Sequence, residues 1–262
     1  MLTINLENQI ALVTGVTSGI GAGIAKKMAQ AGCHVAGCGS QAADTAGAQK
    51  FVHDVQEESK QAFYYQADVT QEDELHRFVT ETNEHFDGID LVVSNAGRNV
   101  FKGALNCSQQ DWNYNRSLNL ESHWWLSRLT YPYLKKSPNG VIIIMTSNHA
   151  FASIPGCFPY NVTKTALTGL VRSLAIEWGP DVRVVGIAPG FIETAGGEVW
   201  FESFADPEAE KTKAMVRHPA RKLGTVEEVG AFCAFLASDF AGFMTGSTYL
   251  MDGGRSALLQ DE

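Results

Sequence analysis

Residues 10–21 read Ile10-Ala11-Leu12-Val13-Thr14-Gly15-Val16-Thr17-Ser18-Gly19-Ile20-Gly21, a short apolar run that passes directly into a glycine cluster. The run is unalternated and rich in Ile and Val, the pattern of a strand buried on both faces. A helical pattern begins at once, over 20–31. Gly15 permits a tight turn out of the strand. Gly19 and Gly21 let backbone approach a pyrophosphate and let helix and strand pack closely. Amides at a helix N-terminus attract negative charge. A G-x-x-x-G-x-G spacing between the first strand and the first helix therefore predicts a dinucleotide site. The alternative reading is a purely structural turn.

The same alternation continues outward. Apolar runs at 35–38, 62–66, 91–94, 141–146, 182–187 and 248–251 read as further strands. Helical patterns lie between them at 43–58, 72–86, 110–134, 160–178 and 226–236. Thr70-x-x-Asp73, Ser108-x-x-Asp111 and Thr225-x-x-Glu228 look like capping signals. Strand–helix alternation of this kind predicts an α/β fold: a doubly wound, Rossmann-type, seven-stranded and mostly parallel sheet with helices on both faces. No linker or repeat divides the chain, so 1–262 is expected to be a single domain. The stretch from about 192 to 223 breaks the pattern. It carries Gly196, Gly197, Pro207 and Pro219 beside Trp200, Phe201 and Phe204. It is expected to be irregular, either a substrate loop or a surface excursion whose aromatics pack on the core.

Composition narrows the function classes. The 262 residues are 45% hydrophobic and 19% charged, which is ordinary for a globular chain. Twenty basic residues against 29 acidic give net −9. That balance argues against nucleic acid and anionic membranes as partners. The five cysteines are an odd number without a C-x-x-C pair, which fits free thiols in a reducing compartment and no metal site. The opening residues lack a basic region and a cleavage-like site, so a cytoplasmic location is expected.

Three polar residues are expected to converge beyond the carboxyl end of the fifth strand. Tyr160 and Lys164 are four apart at a helix start, hence on one face. Ser147 follows the strand at 141–146. Reducing a ketone puts hydride on carbon and a proton on oxygen. A free tyrosine titrates too high to exchange protons easily near neutrality. A nearby Lys164 ammonium, helped by an oxidised nicotinamide, is expected to lower it. Ser147 can hydrogen-bond the carbonyl oxygen as charge develops.

With these residues in place the chain resembles the short-chain dehydrogenase/reductase family over essentially its whole length. The family's TG-x-x-x-G-I-G turn matches Thr14 to Gly21, with Gly15, Thr17, Ser18, Gly19 and Ile20 toward the cofactor. Its adenine-pocket acid matches Asp68, followed by Val69. Its N-N-A-G segment appears as Ser94-Asn95-Ala96-Gly97, with Ser94 a departure. Its helix Asn matches Asn119, and its Ser, Tyr and Lys match Ser147, Tyr160 and Lys164. Its P-G-x-x-x-T segment matches Pro189, Gly190 and Thr194, with Ile192 between them. The C-terminal D-G-G is Asp252-Gly253-Gly254.

The resemblance implies an NAD(P)-dependent oxidoreductase interconverting a secondary alcohol and a ketone. Tyr160 would be general acid/base, and Lys164 would bind the nicotinamide ribose and tune Tyr160. Ser147 would position substrate, and Asn119 would hold a relay water. A homotetramer is also implied, through the helices at 110–134 and 160–178.

Cofactor choice turns on the end of the second strand, Gly37-Cys38-Gly39-Ser40. It has neither an acid nor an Arg, and Asp44 comes too late. A pocket with the Ser40 hydroxyl and no carboxylate favours NADP(H) over NAD(H). His149, Cys157 and Trp200 are candidate substrate contacts, and Phe151 and Phe191 could add an apolar wall. Each could equally be a loop or packing residue. Competing functions are a sugar-nucleotide epimerase or dehydratase, which shares the Tyr–Lys pair, and a catalytically silent cofactor-sensing protein.

Overall fold

The computed structural model describes residues 3–259. Seven strands form one sheet: β1 Ile10–Thr14, β2 His34–Gly39, β3 Ala62–Gln66, β4 Leu91–Ser94, β5 Val141–Met145, β6 Arg183–Pro189 and β7 Thr248–Met251. Their spatial order is β3-β2-β1-β4-β5-β6-β7, and every pairing is parallel. The order reverses between β1 and β4. That reversal opens a crevice at the carboxyl ends of the strands, where ligands bind in open α/β sheets.

Successive strand residues face opposite sides. Ala11 and Val13 enter one core and Leu12 the other. Val141 and Ile143 likewise oppose Ile142 and Ile144. This is why the strands read as unbroken apolar runs: both faces are covered. One face is packed by α1 (Gly19–Gln30), α2 (Ala46–Gln56) and α9 (Val226–Ala237). The other is packed by α3 (Glu72–Phe86), α5 (Ser122–Leu134) and α6 (Tyr160–Trp178). Each fully buried Leu, Ile or Phe side chain contributes about 1.5–3 kcal/mol.

Three local expectations change. The helix expected over 110–134 is two helices, α4 (Gln109–Arg116) and α5, joined by a π-helical turn at Ser117–Glu121. The stretch at 192–223 is not irregular. It contains α7 (Ala195–Glu202), whose first turn is capped by Thr194, and α8 (Pro207–Val216), capped by Asp206 with Pro207 in the first turn. Those capping residues stop and restart the chain, and Pro is tolerated where its missing N–H is not needed. The capping boxes at Ser108/Asp111 and Thr225/Glu228 form, but that at Thr70 does not. Three acids, Glu72, Asp73 and Glu74, face the α3 N-terminus instead. No helix among the described residues is long and apolar enough to cross a membrane.

The β1–α1 turn has no room for side chains. A Cβ on Gly21 would lie 2.1 Å from the Gly15 carbonyl oxygen and 2.6 Å from Asn95 Nδ2. Gly21→Ala is expected to destabilise the protein by about 1–3 kcal/mol, because backbone must shift to admit the methyl. A lowered urea midpoint with unchanged slope measures it; an unchanged midpoint contradicts the close approach.

Candidate active site

The crevice is stitched at its base. The Thr14 hydroxyl oxygen accepts the N–H groups of Asn95 and Ala96, both at 3.0 Å, and Asn95 Nδ2 donates to the Thr14 carbonyl at 2.9 Å. Gly15 and Val16 donate to the Cys38 carbonyl of β2. Gly15 and Gly19 take left-handed φ values of +76° and +57°, open to glycine at no steric cost. Ser18 is extended ahead of α1, its hydroxyl makes no capping bond, and no acid lies in the first turn. The N–H groups of that turn therefore present partial positive charge to the crevice. A Cβ on Gly19 would sit 3.5 Å from Thr194, so the turn faces the segment after β6 across a narrow gap.

That segment is held from behind. Gly190 N–H donates to Met251 of β7, and Ile192 pairs with Gly224. Asp252 is buried, and its carboxylate accepts the N–H groups of Gly254 and Ser256, which fixes the D-G-G turn. At the far end of the crevice, Ser40 is exposed and its carbonyl accepts from Gln66. The Tyr64 hydroxyl, from β3, donates to the Gln41 carbonyl at 2.6 Å. Tyr64 and Gln66 were not legible as site residues, because only β2–β3 pairing brings them there. Asp68 is exposed after β3, its Oδ1 accepting the Thr70 N–H, and Val69 is buried behind it. These features fit a dinucleotide: glycine backbone for the phosphates, a carboxylate-free end at Ser40, and a walled gap at Pro189–Thr194.

The segment after β4 is clamped by Asn119. Its Oδ1 accepts the Arg98 N–H at 3.1 Å, and its Nδ2 donates to the Arg98 carbonyl and to Asn115 Oδ1, each at 2.9 Å. Asn115 in turn donates to the Pro159 carbonyl and Thr163 at the start of α6. Both Asn119 N–H groups are thus taken, so a relay water would bind its remaining lone pair or its main chain. Gly97 leaves the space between: a Cβ there would lie 2.8 Å from Asn119 Oδ1 and 3.5 Å from Lys164 Nζ. The departure at Ser94 is matched by an imidazole, its hydroxyl lying 2.7 Å from His123 Nδ1 in the core.

Ser147, Tyr160 and Lys164 are brought together and all three are buried. The Ser147 hydroxyl caps a short turn at Asn148–Ala150 by accepting the His149 N–H at 3.2 Å, and it hydrogen-bonds the Tyr160 phenol. Lys164 Nζ donates to the Met145 carbonyl at the end of β5 and lies 5.7 Å from the Tyr160 ring centroid. Burial dominates the titrations. It pushes Tyr160 up to about 12 against the opposing Ser147 bond, and it pushes Lys164 down to about 7. In the protein alone, burial therefore sets Tyr160 above the free phenol rather than below it. A desolvated Lys164 that gives up its own charge near neutrality is a weak source of positive potential.

The substrate candidates separate. His149 is half-buried, and its ring lies edge-on to Tyr160 at 6.2 Å and to Phe101 at 5.7 Å. Phe101 completes the group at 5.5 Å from Tyr160, placed by a bridge to Pro159. It was missed because nothing local marks a loop Phe. Cys157 is buried next to Tyr160, its thiol pushed up by burial, rather than open to a ligand. Trp200 is 48% exposed and packs in its own cluster with Phe191, Phe201 and Phe204. Phe151 is exposed.

A family model described as enoyl-(acyl carrier protein) reductase matches residues 15–256. Dehydrogenase/reductase SDR family member 4 of Pongo abelii is 33% identical over 257 residues, covering 97% of this chain and 90% of the relative. A tropinone reductase homolog of Arabidopsis thaliana is 32% identical, covering 95% and 90%. This chain belongs to the short-chain dehydrogenase/reductase family. A solved mutant of a short-chain dehydrogenase/reductase from Serratia marcescens superposes on it with a TM-score of 0.87 at 27% identity, covering 96% of this chain and 99% of that one. As a member of this family the protein is an oxidoreductase, and the family normally uses nicotinamide cofactors.

The lysine of this short-chain dehydrogenase/reductase yields a stability test. Its folded value, about 7, lies below the usual lysine value of 10.5. The cost of charging it in the fold is fully present below pH 7 and is relieved as pH rises toward 10.5. Lys164→Met is therefore expected to stabilise the cofactor-free protein by a few kcal/mol (order of magnitude) at pH 6–7. The advantage should shrink toward pH 10. Urea melts of both proteins across that range measure it, and a pH-independent difference contradicts the burial argument.

Proposed function

We propose that the protein interconverts a secondary alcohol and a ketone using a nicotinamide cofactor, with Tyr160 as the proton-transferring group. The observation that carries this reading is the buried Ser147–Tyr160–Lys164 group at the carboxyl end of β5, on the crevice that begins at the Gly15–Gly21 turn. When bound there, the nicotinamide ring supplies or accepts the hydride. The groups that would hold the cofactor are the backbone of Gly15 to Ile20, Ser40, Asp68 and Val69, the Asn95–Gly97 segment, Lys164, and Pro189 to Thr194.

In the reductive direction Ser147 and Tyr160 donate hydrogen bonds to the carbonyl oxygen. Tyr160 then passes its proton to that oxygen as negative charge builds there. A phenol at about 12 keeps its proton through neutrality, so the donor form is fully populated. In the oxidative direction Tyr160 must first give up that proton. Burial opposes the loss, while Ser147 and a protonated Lys164 favour it. Lys164 is held for this by the Met145 carbonyl. Asn119 holds the main chain of Arg98, and with it keeps Gly97 close to the lysine. NADP(H) is favoured over NAD(H) because no carboxylate stands at Ser40 to repel a 2′-phosphate. A homotetramer is supported by exposed apolar groups on α5 and α6, namely Trp124, Val162 and Ile176.

Two measurements test the reading. Tyr160→Phe should lower kcat about 100- to 10,000-fold while folded protein still binds cofactor; turnover at the parent rate removes Tyr160 from the chemistry. Side-by-side titration with NADPH and NADH, followed by energy transfer from protein to nicotinamide, should show NADPH binding about tenfold tighter or more, a difference of about 1.4 kcal/mol. Tighter NADH overturns the cofactor preference, and no binding of either by folded protein overturns the enzyme reading.

A further inference from the structure

Beside the reacting phenol stands a buried polar atom without a use. His149 Nδ1 is shielded from solvent and has no hydrogen-bond partner in the protein. Buried side-chain nitrogens are nearly always paired, so an unpaired one at a ligand site marks a place where a ligand atom belongs. The ring is held by its surroundings. Its main-chain N–H is bonded to the Ser147 hydroxyl, and its faces and edges are fixed against Phe101 and Tyr160. His149, Ser147 and Tyr160 are therefore neighbours, with Phe101 packed against both rings.

Resting on the carbonyl–alcohol reading above, we infer that the substrate of this site is a hydroxy ketone, interconverted with the corresponding diol, whose second oxygen is held by His149 Nδ1. The reacting carbonyl lies on Ser147 and Tyr160, and the hydroxyl on the neighbouring or next carbon reaches the imidazole. Burial, against the opposing Ala152 carbonyl and with a smaller push from the charge of Arg255, lowers the ring below the ordinary histidine value and keeps it neutral at physiological pH. A neutral imidazole offers one donor nitrogen and one acceptor nitrogen. A hydroxyl both donates and accepts, so it satisfies Nδ1 in either tautomer. A second carbonyl could satisfy only the donor form. Phe101, packed against both rings, adds an apolar neighbour that disfavours a charged substituent. Arg255 is a cation that acts on His149, which makes a keto acid the rival occupant.

The step balances without further reagents. The ketone carbon takes a hydride from the reduced nicotinamide, its oxygen takes the Tyr160 proton, and solvent restores that proton. The hydroxyl on His149 is neither made nor broken. It orients the carbonyl and fixes which face is attacked.

The test compares α-hydroxyacetophenone with propiophenone, which differ only by a hydroxyl in place of a methyl, as ketones for reduction by the full-length protein with NADPH and, separately, NADH. A kcat/KM ratio of about tenfold or more in favour of the hydroxy ketone is expected. His149→Phe should bring that ratio to about one, and His149→Asn, which returns a polar group near Nδ1, should restore much of it. A parent ratio near or below one overturns the inference and leaves the oxidoreductase reading intact. So does a ratio that His149→Phe does not alter, or a preference for phenylglyoxylate, which carries a carboxylate instead. Reduction of none of these ketones by a protein that binds the cofactor overturns both the inference and the carbonyl reading.

Discussion

At the end of β1 the Thr14 hydroxyl accepts two main-chain N–H groups from the segment after β4, and the Thr14 carbonyl accepts a third hydrogen bond from the Asn95 side chain. These three bonds join the two strands between which the sheet order reverses. In most places parallel neighbours are held by their ladder alone. Here the chain has already left the ladder on both sides, and its polar groups would be unpaired without the Thr14–Asn95 contact. The glycine turn must bend over that contact, which is why Gly21 lies against Gly15 and Asn95 with no room for a side chain. The Asn95–Arg98 segment is aimed by it toward the π-helical turn before α5 and toward α6, where Asn119 and Lys164 meet it.

The second constraint is the desolvation of the proton-transfer group. A phenol and an amine buried together avoid charge, and the protein alone stores them as near-neutral partners with Tyr160 high and Lys164 low. This is a site poised to respond to an arriving charge rather than one charged in advance. The Asn119–Asn115 chain of amides makes the arrangement rigid. It ties the loop after β4 to the first turn of α6, and its links from Asn119 through Asn115 to Pro159 and Thr163 are buried, where a low dielectric strengthens them. The π-helical turn at Ser117–Glu121 carries Asn119 and sits where α4 gives way to α5.

The parallel sheet was legible because each strand is apolar on both faces, and strand identity survived even where ends moved by a residue or two. The glycine turn and the Tyr160–Lys164 spacing were legible because both are local: three glycines about a turn, and two side chains one helical turn apart. The helices at 195–202 and 207–216 were hidden by their glycines and prolines, although Thr194 and Asp206-Pro207 carried the capping signals. The π-turn was hidden because one extra residue in a helix leaves the apolar pattern almost unchanged. Tyr64 and Phe101 escaped because each reaches the site from an element distant in sequence, and the core pairing of His123 with Ser94 escaped for the same reason.

The sequence by itself determined the order of elements, the position of the phosphate-cradling turn and the identity of the Ser147, Tyr160 and Lys164 group, because these depend on residue type and short-range spacing. The tertiary structure alone decided the protonation preferences of that group, since burial is a property of what packs around a residue and not of the residue. It alone decided that Cys157 lies beneath the site and Trp200 in a separate aromatic cluster, while His149 keeps a buried, unpaired nitrogen in a ring packed beside Tyr160. Those outcomes rest on contacts between chain segments tens of residues apart, and no local pattern carries them.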